Sequence, residues 1–459
     1  MKKSDVIFII VFVIMLAIPS LAMPAFKGET TSEKRELAAF PKLMTDGKPN
    51  KDFTDGLDDY INDHIAFRNL MISTRSTVME KVFNESSVEK VILGSDGWLY
   101  YALDKNDYLN IATLTPRNAA NVAKTYRMVQ DYLNSNGVDF MFTVVPNKSS
   151  LYDNLPYYYV PLDEDGNIEL LAAAFDAQGV SYCDLYRAFK DENEILYQKY
   201  DTHWNYKGAA YAYDKILTAA GFPHADYSEL SYTEKEDWEG DLSEMLFGEK
   251  AEFDVQTYPD IAFNFEYTSH EKEPDSITLK TYNENGNGNV VLYRDSYGDT
   301  MHVFFAETAE NALFSRAIPY YIDYAKGYDL AVLEIVERNI INLASRAPMM
   351  AAPVCELNVA ATPVDGGITF DTETAGGFVH VYGEIDEELL GDDYSVYILC
   401  DNGSGTQSYE AFPIYEAELL GEDEPKDNGY SAYIPGEELF NNSLIVVSGE
   451  SCYYYQVGW

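Results

Sequence analysis

The sequence has little positive charge and little cysteine. Its 459 residues include 76 acidic and only 32 basic side chains, which gives a formal charge of −44 at pH 7. Such an excess repels phosphate backbones and argues against nucleic acid as a partner. Four cysteines are too few for a disulfide scaffold. Export would permit a bridge among Cys355, Cys400 and Cys452, but we expect buried free thiols, and neither a metal nor a cofactor.

Charge is also missing from the first apolar run. Residues 6–26 contain no charged side chain, and about 20 apolar residues can cross a bilayer as a helix. Lys2 and Lys3 keep the short end cytoplasmic. Residues 1–26 are therefore an uncleaved signal anchor, which we favour, or a signal peptide that is removed. In either case we expect the bulk of the chain to be exported.

The remaining chain is long enough for more than one domain. Residues 27–90 are polar with a helical apolar pattern, typical of a stalk or adapter. Residues 91–347 mix strand and helix patterns, which predicts an α/β domain. Residues 354–459 have short apolar runs, a single Lys and no Arg, which predicts an acidic all-β sandwich-like domain.

Residues 91–347 alternate between strand-like and helix-like runs. The sequence predicts strands over residues 138–145, 180–184, 289–293 and 328–336, and helices over residues 170–177, 206–220 and 302–314 and from Thr115-Pro116 to before Gly137. Such alternation is typical of a parallel sheet with helices on both faces. Sites in these sheets form beyond the carboxyl ends of the strands. Asp201 and Ser296 lie at or near such ends.

Asp201, His203 and Ser296 have the residue types of a serine acyl-transfer site. A Ser hydroxyl needs a base within hydrogen-bond reach and a third group that orients the base. His203 is the candidate base, and Asp201, two residues earlier, would hold its second ring nitrogen. The G-x-S-x-G turn of α/β-hydrolases is missing. On spacing alone, the alternative is a surface loop with an ordinary salt link.

A series of short blocks resembles a known family. The blocks occur in the family's order at residues 33–38 (EKRELA), 63–68 (DHIAFR), 94–101 (GSDGWLYY), 146–148 (PNK), 201–204 (DTHW), 295–297 (DSY) and 337–338 (ER). The chain resembles the AlgX/AlgJ-type SGNH hydrolase-like proteins, which include alginate O-acetyltransferases and the bacterial DHHW proteins. The resemblance implies a three-layer α/β/α domain with a parallel sheet. It also implies a triad of Ser296, His203 and Asp201.

The resemblance also suggests residues for the oxyanion and the substrate. Tyr297 and Arg338 are candidate oxyanion donors, although Arg338 could instead pair with Glu334 or Glu337. Lys148 either lines the pocket or braces its loop. Trp204, next to the base, is expected to line the site.

The implied function is a serine-dependent O-acyltransferase or acetylesterase. It would act outside the bacterial cell membrane, through an acyl-enzyme, on a cell-surface or exported polysaccharide. A membrane-bound protein that donates the acyl group would be a partner for transfer, by analogy with the family. The alternative is a non-catalytic cell-surface protein that binds glycans on the same scaffold.

Overall fold

The computed structural model describes residues 2–23, 37–45, 47–162, 165–401, 405–436 and 440–457. Helix α1 (Lys3–Ala22) is apolar, with a mean hydropathy of 2.7 over its most apolar stretch, and almost none of it is buried. By length and composition it can cross a membrane, and a signal sequence has the same properties. The first part of the predicted adapter, with residues 33–36 of the first family block, lies outside the described residues.

Some of the helices begin at a residue whose side chain caps the helix. The helices after α1 are α2 (Phe53–His64), α3 (Arg68–Val78), α4 (Lys105–Tyr108), α5 (Pro116–Ser135), α6 (Lys148–Leu151), α7 (Asn167–Gln178), α8 (Leu185–Lys190), α9 (Tyr206–Ala220), α10 (Asp241–Phe247), α11 (Gly298–Thr308) and α12 (Ala417–Leu420). Thr115 caps α5 by accepting a hydrogen bond from the Asn118 amide. Asn205 caps α9 in the same way, and Gly221, with φ of 66°, ends it.

The strands form a central sheet and several smaller ones. They are β1 (Met44–Thr45), β2 (Lys48–Pro49), β3 (Val91–Leu93), β4 (Leu99–Tyr101), β5 (Asp139–Val145), β6 (Tyr182–Cys183), β7 (Tyr232–Glu239), β8 (Phe253–Pro259), β9 (Glu266–Tyr267), β10 (Thr278–Tyr282), β11 (Asn289–Tyr293), β12 (Asn311–Ser315), β13 (Leu330–Val336), β14 (Val354–Cys355), β15 (Thr362–Val364), β16 (Asp371–Ala375), β17 (Phe378–Glu384), β18 (Tyr394–Asp401), β19 (Thr406–Ala411), β20 (Gly429–Pro435), β21 (Phe440–Ser448) and β22 (Ser451–Gln456).

The central sheet confirms the predicted SGNH-like α/β class. Its order is β6-β5-β13-β11-β12-β10-β9, and the first five strands run parallel. Residues of α5 and α7 pack on one face, and residues of α8, α9 and α11 pack on the other. The sheet is mixed rather than wholly parallel, because β10 and β9 add antiparallel strands at the β12 edge. The carboxyl ends of β5, β11 and β13 therefore meet at one edge.

One predicted helix is wrong over half its length. Residues 302–314 were expected to be helical, but α11 ends at Thr308 and β12 begins at Asn311. β12 pairs in parallel with β11, with Asn311 opposite Asn289. The apolar run of β12 fills the sheet core, with Phe314 fully buried. A short buried strand and a buried helix have the same apolar pattern, so periodicity does not separate them.

The segment before residue 91 packs on the α/β domain through helical elements. α2 and α3 are followed by a π-helical turn, Met79–Phe83. The Asp63 carboxylate accepts a hydrogen bond from the Ala38 amide (2.8 Å). The Ser73 hydroxyl donates to the Phe247 carbonyl at the end of α10 (2.6 Å), which fixes α3 beside the region that follows β7.

The C-terminal region is β-rich, as the sequence predicts. A six-stranded sheet (β14-β19-β18-β21-β22-β15) and a three-stranded sheet (β16-β17-β20) share one apolar core. The region is joined to α5 by polar contacts, among them ion pairs from Arg117 to Glu387 and Asp427, both at 2.9 Å. All four cysteines are free, and Cys183 and Cys400 are buried.

Candidate active site

Asp201 and His203 lie in the loop before α9. A β-bridge between Tyr197 and Trp204 closes the base of this loop. Within it, the His203 amide donates to the Asp201 carboxylate (2.9 Å), so the chain turns back and brings both side chains to the same side. The Asp201 side chain is buried, whereas the His203 side chain is 23% exposed.

Ser296 lies in the turn between β11 and α11. Position 298, the first residue of α11, requires glycine because the surrounding atoms pack closely, and not because of an unusual φ. A Cβ atom at Gly298 would lie 2.5 Å from Cδ of Arg294, which is fully buried beneath the turn. Because α11 begins at Gly298, Ser296 lies at the amino end of this helix, where the helix dipole favours negative charge. The sequence did not predict this, because it placed the start of the helix at residue 302.

The three predicted triad residues form a continuous chain of hydrogen bonds. His203 Nε2 is 2.9 Å from Ser296 Oγ, and His203 Nδ1 is 2.7 Å from Asp201 Oδ1. Burial opposes charge on His203, but the carboxylate of Asp201 outweighs it and raises the pKa of His203 above the ordinary value. Burial would also raise the pKa of Asp201, but the charge of His203 and the accepted hydrogen bonds hold that pKa well below its usual range.

Two residues that the sequence did not single out hold the second oxygen of Asp201. Asp201 Oδ2 accepts hydrogen bonds from Trp238 Nε1 and from the Asp241 amide, both at 3.1 Å. Trp238 is the last residue but one of β7, a strongly charged strand, and Asp241 starts α10 just after Gly240. The carboxylate of Asp241 accepts from the amide and hydroxyl of Thr202 (2.8 and 2.7 Å). Asp201 is thus fixed in orientation by four donors.

A second missed feature is a carboxyl pair beneath Ser296. Asp295 accepts hydrogen bonds from the Tyr297 amide (2.9 Å) and the Val336 amide (2.7 Å). Its own amide donates to Glu334 Oε2 (3.2 Å). Glu334 is fully buried, and burial together with the charge of Asp295 raises its pKa well above the ordinary value. The hydrogen bonds of this pair hold the nucleophile turn against β13.

Tyr297 and Trp204 lie behind the triad, not on its solvent side. Both are fully buried. The Tyr297 hydroxyl donates to the Thr202 carbonyl (2.7 Å), and the Trp204 indole N–H donates to the Tyr297 carbonyl (3.1 Å) and to Thr300 Oγ1 (2.8 Å). Trp204 was expected to line the site. Instead it packs the base loop onto the nucleophile turn, because its ring lies against Phe189, Tyr197 and Tyr297.

Lys148 braces the base loop, one of the two roles considered for it. It is 1% exposed, and its ammonium donates to the carbonyl oxygens of Gln198 (3.1 Å), Lys199 (3.3 Å) and Asp201 (2.6 Å). Burial lowers the pKa of Lys148 to about 8. The side chain faces these carbonyls, and it has no surface for a substrate.

Arg338 pairs with Asp104, a partner that the sequence did not suggest. The expected alternatives, Glu334 and Glu337, are wrong, since Arg338 Nη1 lies 3.5 Å from Asp104 Oδ1. Its guanidinium carbon is 5.6 Å from the Tyr297 ring centroid. Glu337 instead accepts from the Asn147 amide (2.7 Å). Burial raises the pKa of Asp104 to about 6, although the charge of Arg338 opposes the rise.

A cavity of about 280 Å³ opens beside Ser296. Apolar side chains line part of it, including Ile318, Pro319 and Leu343. Arg316 and Arg346 line it as well, and they pair with Asp299 and Glu418 respectively. The cavity offers Ser296 a recess that is partly apolar and partly cationic.

Asp201, His203 and Asp241 are the residues in the described part of the chain whose spacing could suit a metal ion. Their ligand atoms lie within 4.8 Å of one another. These atoms already serve the hydrogen bonds given above. The donor set therefore fits an oriented imidazole better than an open metal site.

Comparison with known proteins gives a family match and distant structural neighbours. The model of a family described as an SGNH hydrolase-like domain, acetyltransferase AlgX, matches residues 91–346, more than half of the chain. No curated protein matches the chain significantly. A DHHW family protein from Eubacterium siraeum is 20% identical, covering 54% of this chain and 91% of its own, with a TM-score of 0.42. Bacillus cereus PatB1 is 15% identical (55% and 96% covered, TM-score 0.44). The O-acetyltransferase domain of Pseudomonas putida AlgJ is 17% identical (55% and 92%, TM-score 0.35).

Proposed function

We propose a function on the premise that the chain belongs to the family described as SGNH hydrolase-like domain, acetyltransferase AlgX. The proposal is an extracytoplasmic O-acyltransferase that moves an acetyl group to a polysaccharide hydroxyl through Ser296. The observation that carries it is the hydrogen-bond chain from Asp201 through His203 to Ser296, with links of 2.7 and 2.9 Å.

In the first half-reaction, Ser296 Oγ attacks the carbonyl carbon of the acyl donor. His203 Nε2 takes the hydroxyl proton, and Asp201 stabilises the imidazolium that forms. The tetrahedral intermediate collapses when the bond to the leaving group breaks, and His203 returns the proton to that group. The product is an ester between the acyl group and Ser296.

In the second half-reaction, a sugar hydroxyl attacks the Ser296 ester. His203 takes the proton of the sugar hydroxyl and then gives it to Ser296 Oγ as the acyl-enzyme breaks. Water in place of the sugar would give hydrolysis, the acetylesterase form of the same chemistry. The balance between the two depends on whether the acceptor or water reaches the ester first.

Negative charge develops on the carbonyl oxygen in the tetrahedral intermediate, and hydrogen-bond donors must stabilise it. The amide of Ser296, at the amino end of α11, is the first candidate, because a helix amino terminus favours negative charge. Arg338 is the second, and its 15% exposed side chain retains some access to the site. The hydroxyl of Tyr297 is committed to the Thr202 carbonyl, so we assign Tyr297 a positioning role.

We further propose that α1 is retained as a single-pass anchor in a bacterial membrane. The apolar length of α1 and the two lysines at its amino end, Lys2 and Lys3, support this topology. The acyl donor would then be a membrane protein, from which the exported domain accepts the acetyl group. Mass analysis of the mature protein tests the anchor: an amino terminus that starts beyond residue 22 would mean that α1 is a removed signal.

Labelling with a fluorophosphonate probe tests the nucleophile. Ser296 in the native protein should react, and both Ser296→Ala and His203→Ala should abolish the label. Ser345→Ala is the matched control, since Ser345 is a partly exposed serine whose hydroxyl donates to a local carbonyl (3.0 Å). Absence of labelling in the native, folded protein would favour the non-catalytic glycan-binding alternative.

A further inference from the structure

A second cavity, of about 750 Å³, lies apart from the Ser296 recess. We call it the aromatic groove. Its walls come from the π-helical turn Met79–Phe83, the loop between β3 and β4, the loop at residues 155–158, and the end of α10. It therefore lies between the helical adapter and the α/β domain, and pockets between structural units are common binding sites.

Three aromatic rings in the groove remain largely in solvent. Tyr157 is 92% exposed, Tyr158 is 64% exposed and Phe83 is 60% exposed. Exposed rings that cluster in one concave surface are typical of a binding site, since large apolar side chains otherwise bury their surface. A ring in this setting can pack against the C–H face of a pyranose.

The charge of the groove is of one sign. Carboxylates line it at Glu80, Glu85, Asp96 and Glu252, and none of its described lining residues is Lys, Arg or His. Lys199 is not among the lining residues, but its ammonium lies beside two of them, next to Gly97 and 5.4 Å from the Tyr200 ring centroid. Carboxylates repel an anionic polymer and attract a cation, and ring faces also attract cations.

The groove shares a segment with the proposed catalytic loop. Tyr200 lines the groove and directly precedes Asp201. The ammonium of Lys148 ties the carbonyls of Gln198, Lys199 and Asp201 together, so this segment is rigid between the groove and the triad. A chain held in the groove therefore lies against the same loop that carries His203.

We propose that the aromatic groove binds a glycan segment with free amino groups, such as a run of deacetylated hexosamine. Its rings stack on the sugar faces, and its carboxylates pair with the ammonium groups. This assignment rests on the proposed function in one respect, namely that the bound glycan is the acceptor of the acyl group. Binding itself does not depend on Ser296.

Calorimetric titration of the full chain in detergent micelles tests the groove. The probes are an oligomer of glucosamine, its fully N-acetylated counterpart and an oligouronate, at mildly acidic pH where the amines carry protons. The glucosamine oligomer should bind most tightly of the three probes. Its affinity should fall as salt is added, because salt screens the exposed charges. Equal or tighter binding of the oligouronate overturns the proposal.

Variants locate the binding. Two double variants should each weaken binding of the glucosamine oligomer by at least about fivefold. They are Tyr157→Ala with Tyr158→Ala, and Glu80→Gln with Glu85→Gln. The matched control is Asp423→Asn with Glu424→Gln, which removes two exposed carboxylates from the C-terminal region. A control that weakens binding as much as the groove variants overturns the proposal, because attraction would then be to the net charge.

The same titration separates failure of the groove from failure of the catalytic proposal. Ser296→Ala should bind the glucosamine oligomer as the native protein does. Labelling of Ser296 without glycan binding would leave the catalytic proposal standing and refute the groove. Binding of the glucosamine oligomer without labelling of Ser296 would leave the groove proposal standing and refute the catalytic proposal.

Discussion

Asp201→Asn exchanges one oxygen of the buried carboxylate for an NH₂ group in a site built for two acceptors. Oδ1 accepts from His203 Nδ1 (2.7 Å) and the His203 amide (2.9 Å). Oδ2 accepts from Trp238 Nε1 and the Asp241 amide, both at 3.1 Å. An amide has one acceptor oxygen, so in either orientation its NH₂ group faces two donors.

The cost follows from these two orientations. If the NH₂ group faces His203, the imidazole must carry its proton on Nε2 and cannot accept the proton of Ser296. Loss of the correct tautomer in a triad lowers kcat by about 10⁴-fold. If it faces Trp238 and Asp241, two donors lose their partner, at about 1–3 kcal/mol for each buried group. We therefore expect kcat/KM to fall by about 10³–10⁴-fold in the first orientation, whereas the second should keep the imidazole oriented and lower the free energy of unfolding by about 2–6 kcal/mol.

The pH dependence has a definite sign. In the native protein the carboxylate of Asp201 raises the pKa of His203, and burial opposes this rise. Removal of the carboxylate leaves burial and the charge of Arg338, which lower the pKa of His203, opposed only by the charge of Asp241, so the acidic limb of the residual activity should move to lower pH. The pKa of Asp201 is held below its usual value of about 3.9, so its stabilising contribution is present above that pH and lost as pH falls.

Hydrolysis of p-nitrophenyl acetate across pH gives the activity, and urea unfolding gives the stability. Asp241→Asn is the control, because its carboxylate bonds Thr202 and not His203. We expect that control to lose less than about tenfold. If Asp201→Asn retains activity within about tenfold of the native protein and also loses less than about 2 kcal/mol of the free energy of unfolding, Asp201 does not orient the base and the triad assignment is wrong.

Three further substitutions test how the site is held. Lys148→Met removes three hydrogen bonds to loop carbonyls and should lower the free energy of unfolding in urea by about 3–5 kcal/mol. Trp204→Phe keeps most of the ring but loses the N–H bond to the Tyr297 carbonyl, so urea unfolding should show a loss of about 1–2 kcal/mol. Arg338→Gln leaves the buried Asp104 unpaired and should destabilise by about 3 kcal/mol at neutral pH. The pKa of Asp104 is already raised to about 6, so that loss should shrink as pH falls below it; a pH-independent loss would refute the pairing.

The sequence predicted the elements whose pattern is local. The cap at Thr115 and the glycine after α9 mark helix ends within a few residues, and the uncharged run of residues 6–26 predicts the apolar helix α1. The residue types Asp, His and Ser near strand ends suggested acyl-transfer chemistry, and the ordered blocks named the family. Each of these features depends on neighbours in the chain, so a single sequence carries it.

Only the tertiary structure decided which groups surround the triad. Trp238, Asp241 and Glu334 contact Asp201 or Asp295 from segments about 40 residues away, and no local pattern encodes such contacts. The directions of Lys148 and Trp204 also follow from packing between remote elements, because the same side chain could face a loop, a core or a substrate. The sequence by itself therefore determined the family and the residue types that suit acyl-transfer chemistry. The packing of β13, β7 and α10 against the two loops decided how that chemistry is held in place.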